Sequence, residues 1–421
     1  MAWEKLDNTA NLFPVIASEN MSNVYRISAI LKEDIDRVAL QEAVNMVLPD
    51  LPTFQMRLKA GMFWYYFEEN NRPTPLVLEE HSFPGAYINK SRNQQYMFRV
   101  TYFGKRINLE VFHALTDGYG GIIFLKEIVY QYLRLTHPEE LKGEKNRISS
   151  GIFLDNEDSY LKNFKKANKH AKGYKSSKAV TITGERLGKG EVGIVHSYMP
   201  IYQLKNAAKK YGATINQFLV GTFVYAVYKE YLREEASKDP INCCVPVNLR
   251  PYYDSHTMKN FFVMVNAEFK PEKEKYSYEE VIKIVVDNLR GQINPENLNR
   301  ILSYNVSNET NVILRLVPLV IKNFAIKRVF GASAHATTST ITNIGNIEVR
   351  EPYKDFIDRF TVILSMSKGQ NMKGACCSYN GIMSFTFSSN LISLSIQKCF
   401  FQMLAKNDIE ISIETNDVYY E

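Results

Sequence analysis

The chain has 421 residues, of which 45% are hydrophobic and 12% aromatic, so it is long and apolar enough to form a large core spread over two lobes. A net charge of +6 and an ordinary share of charged residues, 23%, exclude wholesale disorder and a dedicated nucleic-acid binder. The mild positive charge favours anionic small molecules or an acidic carrier protein as ligands.

The cysteines and the N-terminus indicate the compartment. Five cysteines, two adjacent pairs and one single residue with no CxxC spacing, argue against a disulfide framework and against a zinc site. The opening residues MAWEKLDNTANLF have no signal-peptide pattern, and no apolar run approaches the roughly 20 residues that span a bilayer. We therefore expect a cytoplasmic protein with no transmembrane segment and no bound metal.

The first third of the chain alternates between strand and helix patterns. Residues 24–31 alternate at strand period, and residues 36–48 carry apolar side chains at helical spacing. Aromatic-rich segments at 53–67 and 96–113 predict two hairpins, and a strongly apolar helix is predicted at 121–135.

A basic segment follows. Residues 159–184 contain seven lysines and no acidic residue. We place a linker at 161–185, between an N-terminal lobe of residues 1–160 and a C-terminal lobe of residues 186–421. Such a run is typical of a solvated crossover segment, and the alternative is that it binds the phosphates of a coenzyme or an acidic carrier protein.

The second lobe repeats the mixture of strands and helices, without a sequence repeat of fixed period. Together the two halves predict a mixed α/β fold. The predicted elements are a strand at 190–201, helices up to Gly212 and at 214–232, strands at 240–249 and 260–269, helices at 277–293 and 309–328, strands at 339–349, 361–367 and 381–388, a helix at 394–407 and a last strand at 409–415.

The segment INLEVFHALTDGYGG, residues 107–121, carries the main candidate for chemistry. If the strand alternation persists, His113 points to the same side as the apolar row that includes Leu109 and Val111, and so towards the interior. A histidine removed from water stays neutral more readily and can then accept a proton. The alternative is a core histidine followed by an ordinary helix N-cap at Asp117.

This segment resembles the HxxxDG motif of the chloramphenicol-acetyltransferase-like acyltransferases, which include condensation domains and alcohol acetyltransferases. LPTFQMRL (51–58), VPVNLRPYY…NFFVMVNAEF (245–269) and STITNIGNIE (339–348) resemble further segments of that group, in the expected order. Phe112 stands where condensation domains usually carry a second histidine, and the plant-type DFGWG motif is absent. The resemblance is therefore closest to stand-alone alcohol-acetyltransferase-like proteins.

The resemblance implies a pseudo-dimer of two lobes, each an open mixed sheet with flanking helices, and an active-site tunnel at their interface. His113 would be the general base that transfers an acyl group from acyl-CoA, or from an acyl carrier protein, to an alcohol or amine. No covalent enzyme intermediate and no bound cofactor are implied. A monomer is expected.

The resemblance also implies roles for the neighbours of His113. Asp117 would be structural and pair with an arginine, for which Arg57 is the candidate partner; the alternative for Arg57 is an exposed strand charge. Gly118 would allow the tight turn into the helix.

Four further residues are candidates for substrate binding. Asn248 and Arg250 would line the tunnel, although Arg250 could equally form a structural salt bridge. Thr338 and Asn343 would donate hydrogen bonds near the developing oxyanion, and the alternative is that they only satisfy backbone groups of a strand and a turn.

Two other functions stay open at this point. One is a stand-alone condensation enzyme that forms amide or ester bonds from carrier-bound substrates. The other is a non-catalytic relative that binds an acyl chain or a partner protein.

Overall fold

The structure is a computed structural model that describes residues 3–144, 155–164, 177–310 and 316–419. Most of the basic part of the predicted linker, residues 165–176, lies outside the described residues. The division of the chain at residues 160 and 186 stays a prediction.

The strands and helices alternate along the chain. The strands are β1 (Trp3–Lys5), β2 (Val24–Leu31), β3 (Met56–Ala60), β4 (Tyr65–Glu69), β5 (Leu78–Glu79), β6 (Phe98–Phe103), β7 (Arg106–Phe112), β8 (Gly193–Pro200), β9 (Ile241–Asn248), β10 (Phe262–Phe269), β11 (Ser339–Asn346), β12 (Ile357–Leu364), β13 (Met372–Tyr379), β14 (Ile382–Ser389) and β15 (Ser412–Thr415). The α-helices are Phe13–Ile16, Arg37–Val47, Gly118–Thr136, Ser159–Lys162, Ile201–Lys210, Ile215–Glu230, Arg250–Tyr253, Tyr278–Gln292, Pro295–Thr310, Leu319–Ser333, Glu351–Lys354 and Ser395–Ala405.

The N-terminal lobe is built on a five-stranded sheet in the order β12-β2-β7-β6-β5, next to a small sheet in the order β1-β4-β3. The alternation that predicted β7 holds, because Ile107, Leu109 and Val111 are fully buried in the core of this lobe. The helices Arg37–Val47 and Gly118–Thr136 pack against each other, and the second also contacts β2 and β7.

The C-terminal lobe is built on a seven-stranded sheet in the order β10-β9-β11-β13-β14-β8-β15. The helix Ile215–Glu230 begins with a capping box in which the side chains of Thr214 and Gln217 each bond the other residue's backbone N–H. With Tyr278–Gln292 and Ser395–Ala405 it packs into a second hydrophobic core. Two cores on two sheets confirm the predicted two-lobed α/β fold.

The two faces of the seven-stranded sheet differ in polarity. One face packs into the core beneath the helices; the opposite face carries buried polar side chains. Ser388 on that polar face donates a hydrogen bond of 2.8 Å to the carbonyl of Leu364 in the first lobe's sheet. The polar face therefore lies towards the N-terminal lobe. Its buried members include Thr340, Lys373, Ser384, Thr386 and Ser388.

One strand crosses between the lobes. β12 belongs to the second half of the chain, yet it pairs antiparallel with β2 along the edge of the first lobe's sheet. Tyr353, Ile357 and Phe360 are accordingly buried in the N-terminal core. The lobes therefore share backbone hydrogen bonds as well as side-chain contacts.

One predicted helix is interrupted. Of the helix predicted at 309–328, residues 309–310 end the helix Pro295–Thr310, residues 319–328 belong to the helix Leu319–Ser333, and residues 311–315 lie outside the described residues. The backbone of Pro318 is extended (φ −56°, ψ 145°), and proline both lacks an N–H and disfavours a helical residue before it. In the described parts of the chain, no helix has the length and apolar character needed to cross a bilayer.

Candidate active site

His113 lies directly after the end of β7, where both lobes meet. Its backbone N–H donates a 2.9 Å hydrogen bond to the carbonyl of Asn23, which continues the pairing of β7 beyond Phe112. The imidazole stacks on Phe13, with 4.7 Å between ring centroids and 18° between planes. Tyr25 from the N-terminal lobe and Phe262 from the C-terminal lobe flank it at 5.1 and 5.7 Å. The ring is thus held among aromatic side chains of both lobes.

Hydrogen bonding assigns the tautomer of His113. Its Nδ1 lies 3.1 Å from Oδ1 of Asn260. The amide nitrogen of Asn260 donates to Oδ2 of Asp7 at 3.0 Å, and the ionised carboxyl of Asp7 only accepts, so the oxygen of Asn260 faces the imidazole while Asp7 carries its charge. Nδ1 therefore carries the hydrogen, and Nε2 is left as the proton acceptor.

Asp7 and Asn260 are themselves fixed. Both are buried, with 1% of each residue exposed. Oδ1 of Asp7 accepts from the backbone N–H of Ala10 at 2.7 Å, and its Oδ2 accepts a second bond from Asn260, through the backbone N–H at 3.2 Å. The N-terminal segment and the loop before β10 thereby hold the amide of Asn260 in one orientation.

Burial dominates the electrostatics of the site. It lowers the pKa of His113, while hydrogen bonding to the residue's own backbone, the carboxylate of Asp117 and the side chain of Asn260 act in the opposite direction. Burial raises the pKa of Asp7 to about 7 against the hydrogen bonds that it accepts. His113 is therefore neutral near pH 7, in surroundings that partly favour its protonated form.

Asp117 anchors the turn after His113. Its carboxylate accepts from Arg250 at 2.8 and 3.1 Å, from the backbone N–H of Phe261 at 3.0 Å, and from the backbone N–H of Tyr119 at 3.1 Å as the helix N-cap. Its backbone carbonyl accepts from the hydroxyl of Tyr25 at 2.7 Å. The carboxylate is fully occupied by these bonds, which fits the structural role that the family resemblance implied.

The expected pairing of Asp117 with Arg57 is wrong. Arg57 lies on β3 directly across from Glu68 on β4 and bonds that carboxylate through Nε at 2.8 Å. The arginine that meets Asp117 is Arg250, which is 5% exposed and also donates to the carbonyls of Thr257 and Lys259. Arg57 is thus a half-buried strand charge paired within its own hairpin, and not the exposed strand charge of the alternative.

The glycines after Asp117 are required by packing. Gly118 starts the helix, and a Cβ there would lie 2.8 Å from Cγ2 of Ile344 in β11. A Cβ on Gly120 would lie 2.1 Å from Oγ1 of Thr116. Neither glycine has a positive φ, so Gly118 provides space for the second lobe instead of an unusual turn conformation.

The remaining candidates have polar partners of their own. Oδ1 of Asn248 accepts from the backbone N–H of Arg250 at 3.1 Å and from its Nη1 at 3.2 Å. The hydroxyl oxygen of Thr338 accepts from the backbone N–H of Asn242 at 3.0 Å. Oδ1 of Asn343 accepts from the backbone N–H of Gly345 at 2.8 Å, where β11 shifts register. Each of these oxygens therefore satisfies a backbone group.

Sequence reasoning missed three residues near the site. Asn260 opens the segment NFFVMVNAEF that was read only as a strand, and Asp7 belongs to an N-terminal stretch without a pattern. Lys373, 8% exposed on the polar face, donates to Oγ of Ser367 and has no carboxylate within 4.0 Å among the described residues. Burial lowers the pKa of Lys373 to about 8. The burial of Lys373 depends on the tertiary fold, and no sequence pattern predicted it.

Comparison with known proteins defines the fold. No protein-family model and no curated protein matches the sequence. Among solved structures, TRI101 of Fusarium sporotrichioides, complexed with coenzyme A and T-2, is 10% identical with a TM-score of 0.63, covering 99% of this chain and 100% of that chain. The trichothecene 15-O-acetyltransferase TRI3 of the same organism is 10% identical with a TM-score of 0.62, over 96% and 94% of the two chains.

A condensation domain matches equally well. The starter condensation domain of rhizomide synthetase RzmA, in complex with C8-CoA and Leu-SNAC, is 10% identical with a TM-score of 0.61, over 96% of this chain and 94% of that chain. This chain therefore has the two-lobed fold of condensation domains and of these acetyltransferases. At this level of identity the likeness defines the fold alone.

Proposed function

We propose that the protein is an acyltransferase that moves an acyl group from a thioester to an alcohol or amine, with His113 as the general base. The observation that carries the proposal is the orientation of the imidazole. Asn260 holds the hydrogen on Nδ1, so that Nε2 is a proton acceptor, and the ring lies where the two lobes meet. The proposal is acyl transfer because the fold is shared with enzymes of that kind.

The reaction proceeds without a covalent enzyme intermediate. Nε2 of His113 takes the proton of the acceptor hydroxyl or amine as its oxygen or nitrogen attacks the thioester carbonyl. The tetrahedral intermediate collapses, the carbon–sulfur bond breaks, and the imidazolium returns the proton to the leaving thiolate. General-base catalysis of this kind contributes about 10²- to 10⁴-fold, and positioning of the two substrates supplies more.

The surroundings of His113 suit that cycle. Burial keeps the ring neutral before the attack, and the oxygen of Asn260 with the nearby carboxylate of Asp117 stabilises the imidazolium afterwards. Asp7 contributes indirectly by orienting Asn260, and Arg250 contributes by holding Asp117. These two are positioning residues. We still propose Asn248, Thr338 and Asn343 as substrate contacts. Their side-chain oxygens already accept backbone hydrogen bonds, so other atoms of these residues would contact the substrate.

The donor is proposed to be acyl-CoA, with an acyl carrier protein as the alternative. TRI101 is complexed with coenzyme A, and the RzmA condensation domain with C8-CoA, in structures of this fold. The acceptor is proposed to be an alcohol, as in the alcohol acetyltransferases that the sequence resembles. A monomer and a cytoplasmic location stay predictions.

The test is thiol release. The purified protein is incubated with acetyl-CoA or longer acyl-CoAs and a panel of alcohols and amines, and free coenzyme A is followed with a thiol reagent. We expect acceptor-dependent release that is lost in His113→Ala. Equal release by His113→Ala and the wild type would refute the general-base assignment.

A stand-alone condensation enzyme is the second candidate, favoured by the match to the RzmA condensation domain. It would form an amide or ester from carrier-bound substrates, with N-acetylcysteamine thioesters as soluble substitutes in the assay. If no donor and acceptor react while an acyl-CoA raises the melting temperature, the non-catalytic binding function is the correct one.

A further inference from the structure

The helix Leu319–Ser333 presents an apolar surface to solvent. Leu319 is its only buried residue, while Val320 is 80%, Phe324 63% and Ile321 58% exposed. At 3.6 residues per turn these three project from one side of the helix, which we call the apolar helix face. A helix that is apolar on its outward side normally has that side covered by protein or lipid.

The exposed apolar surface extends to the neighbouring hairpin. The backbone N–H of Leu319 donates a 2.9 Å hydrogen bond to the carbonyl of Met62, so the turn between β3 and β4 lies beside the start of the helix. Met62 is 74% exposed, and Leu316, just before the helix, is 70% exposed. Trp64 from the same turn lies under Nζ of Lys322, 3.4 Å from the ring centroid.

Positive charges accompany these apolar side chains. The helix contains Lys322, Lys327 and Arg328 and no acidic residue. Lys327 and Arg328 are exposed on the same side of the helix as the apolar helix face, one turn further on, and the guanidinium of Arg328 lies over the ring of Phe324. Long cationic side chains next to exposed apolar ones can reach the lipid phosphates of an anionic bilayer while the apolar side chains contact its acyl boundary.

We propose that the apolar helix face binds the surface of an anionic lipid bilayer, with the helix lying in the membrane plane. A helix of 15 residues is shorter than the roughly 20 that span a bilayer, so it lies on the membrane. The helix has no acidic residue, so the same face of a second copy would offer no carboxylate to Lys327 and Arg328. The proposal goes beyond the proposed function and does not depend on it.

The location of the helix gives the membrane contact a use. It packs on the helix Phe13–Ile16, whose Phe13 stacks on the imidazole of His113. The bilayer would therefore contact a helix that packs directly on the helix carrying Phe13. An acyl substrate dissolved in the membrane would then be close to the site.

The test is co-sedimentation with vesicles of phosphatidylcholine alone and of phosphatidylcholine with phosphatidylglycerol. We expect the wild type to pellet with the anionic vesicles and the double variant Val320→Glu/Phe324→Glu to bind at least tenfold more weakly. Val38→Glu is the matched control, because Val38 is 78% exposed on the distant helix Arg37–Val47, and it should bind like the wild type. Lys327→Gln/Arg328→Gln should remove the preference for anionic vesicles.

Three results would overturn the inference. The first is that the wild type does not bind the vesicles. The second is that Val38→Glu loses as much binding as the double variant. The third is that the wild type is a dimer in light scattering and that Val320→Glu/Phe324→Glu dissociates it. All these positions are exposed, so near-wild-type melting temperatures are expected and confirm folding. Thiol release with water-soluble substrates should be unchanged in the double variant, so failure of membrane binding and failure of the acyltransferase proposal are distinguishable.

Discussion

Two half-buried histidines, His113 and His196, have similar exposure and different surroundings. Burial lowers the pKa of both, and that of His196 falls to about 3. Nδ1 of His196 lies 2.8 Å from the hydroxyl of Thr386, but the charges around it are arginines, Arg106, Arg26 and Arg359, which lower its pKa further. Around His113 the carboxylate of Asp117 and the oxygen of Asn260 raise the pKa against burial, and one cation, Lys373, acts in the same direction as burial.

The difference separates a neutral histidine from a usable base. A general base must be neutral before the reaction and must tolerate the positive charge during it. His196 meets only the first requirement, since a proton on its ring would be repelled by three guanidinium groups. His113 meets both, and it lies where the lobes meet. Charged and polar neighbours therefore distinguish the two rings better than burial does.

The largest expected effect is on catalysis. His113→Ala should lower thiol release by about 10²- to 10⁴-fold, because the acceptor loses its base. His196→Ala, in the same assay, should change kcat by less than about threefold, since that ring contributes packing on the polar face. A comparable loss of rate in both variants, with both folded, would contradict the distinction drawn between the two histidines.

The next effect is on the anchor of the turn that follows His113. Arg250→Met leaves the carboxylate of Asp117 buried without its cation, which should cost about 3–5 kcal/mol of unfolding free energy in urea. Arg57→Met breaks a half-buried pair with Glu68 within one hairpin and should cost about 1 kcal/mol or less. Equal costs would show that Asp117 is not the stronger anchor.

A smaller effect tests the tautomer. Asp7→Ala removes the acceptor that orients the amide of Asn260, which is then free to reverse and present its nitrogen to Nδ1 of His113. The ring hydrogen should move to Nε2 and kcat should fall at least about tenfold. Nitrogen-15 chemical shifts of the imidazole report the change directly. Asp158→Asn, a nearby helix N-cap, is the control, and an unchanged tautomer in Asp7→Ala would refute the relay.

The smallest effect is in the pH profile. Because burial lowers the pKa of His113, kcat/KM should rise with pH through an apparent pKa below the ordinary 6.5 and stay flat above it. The rate rises with pH because the reaction needs the neutral imidazole, and the imidazolium of His113 loses its proton at a lower pH in the site than in water. The unfolded chain takes up the proton first on acidification, so this histidine should also lower stability as the pH falls below 6.5. An imidazole titration of His113 above 7, followed by its own chemical shifts, would contradict the pKa shift.

Local patterns predicted the parts of the site that lie within one stretch of sequence. The alternation of β7 gave the direction of His113, and the N-cap position gave the structural role of Asp117 that hydrogen bonds now account for. The partners Arg250, Asn260 and Asp7 come from segments far away in the chain, and no periodicity carries such contacts. The wrong choice of Arg57 has the same origin, because its cross-strand partner Glu68 is visible only once the hairpin register is known.

The fold was predictable at the level of architecture because apolar periods and the family resemblance agreed along the whole chain. The exchange of β12 into the first lobe was not, since a strand's own sequence does not specify the sheet that it joins. Pro318 itself predicts a helix break, but the apolar residues on both sides of it favoured one continuous helix in the prediction.

The exchange of β12 also affects how the protein is made. β2 is translated near the start of the chain, but its antiparallel neighbour on one side, Ile357–Leu364, follows only after most of the second lobe. Until then the apolar strand VYRISAIL has an open edge, the kind of surface that pairs with other chains and aggregates. A fragment that ends before residue 357 keeps that edge exposed permanently. Production of the N-terminal lobe alone should therefore yield insoluble protein, and co-expression with the remainder of the chain is the arrangement that this topology favours.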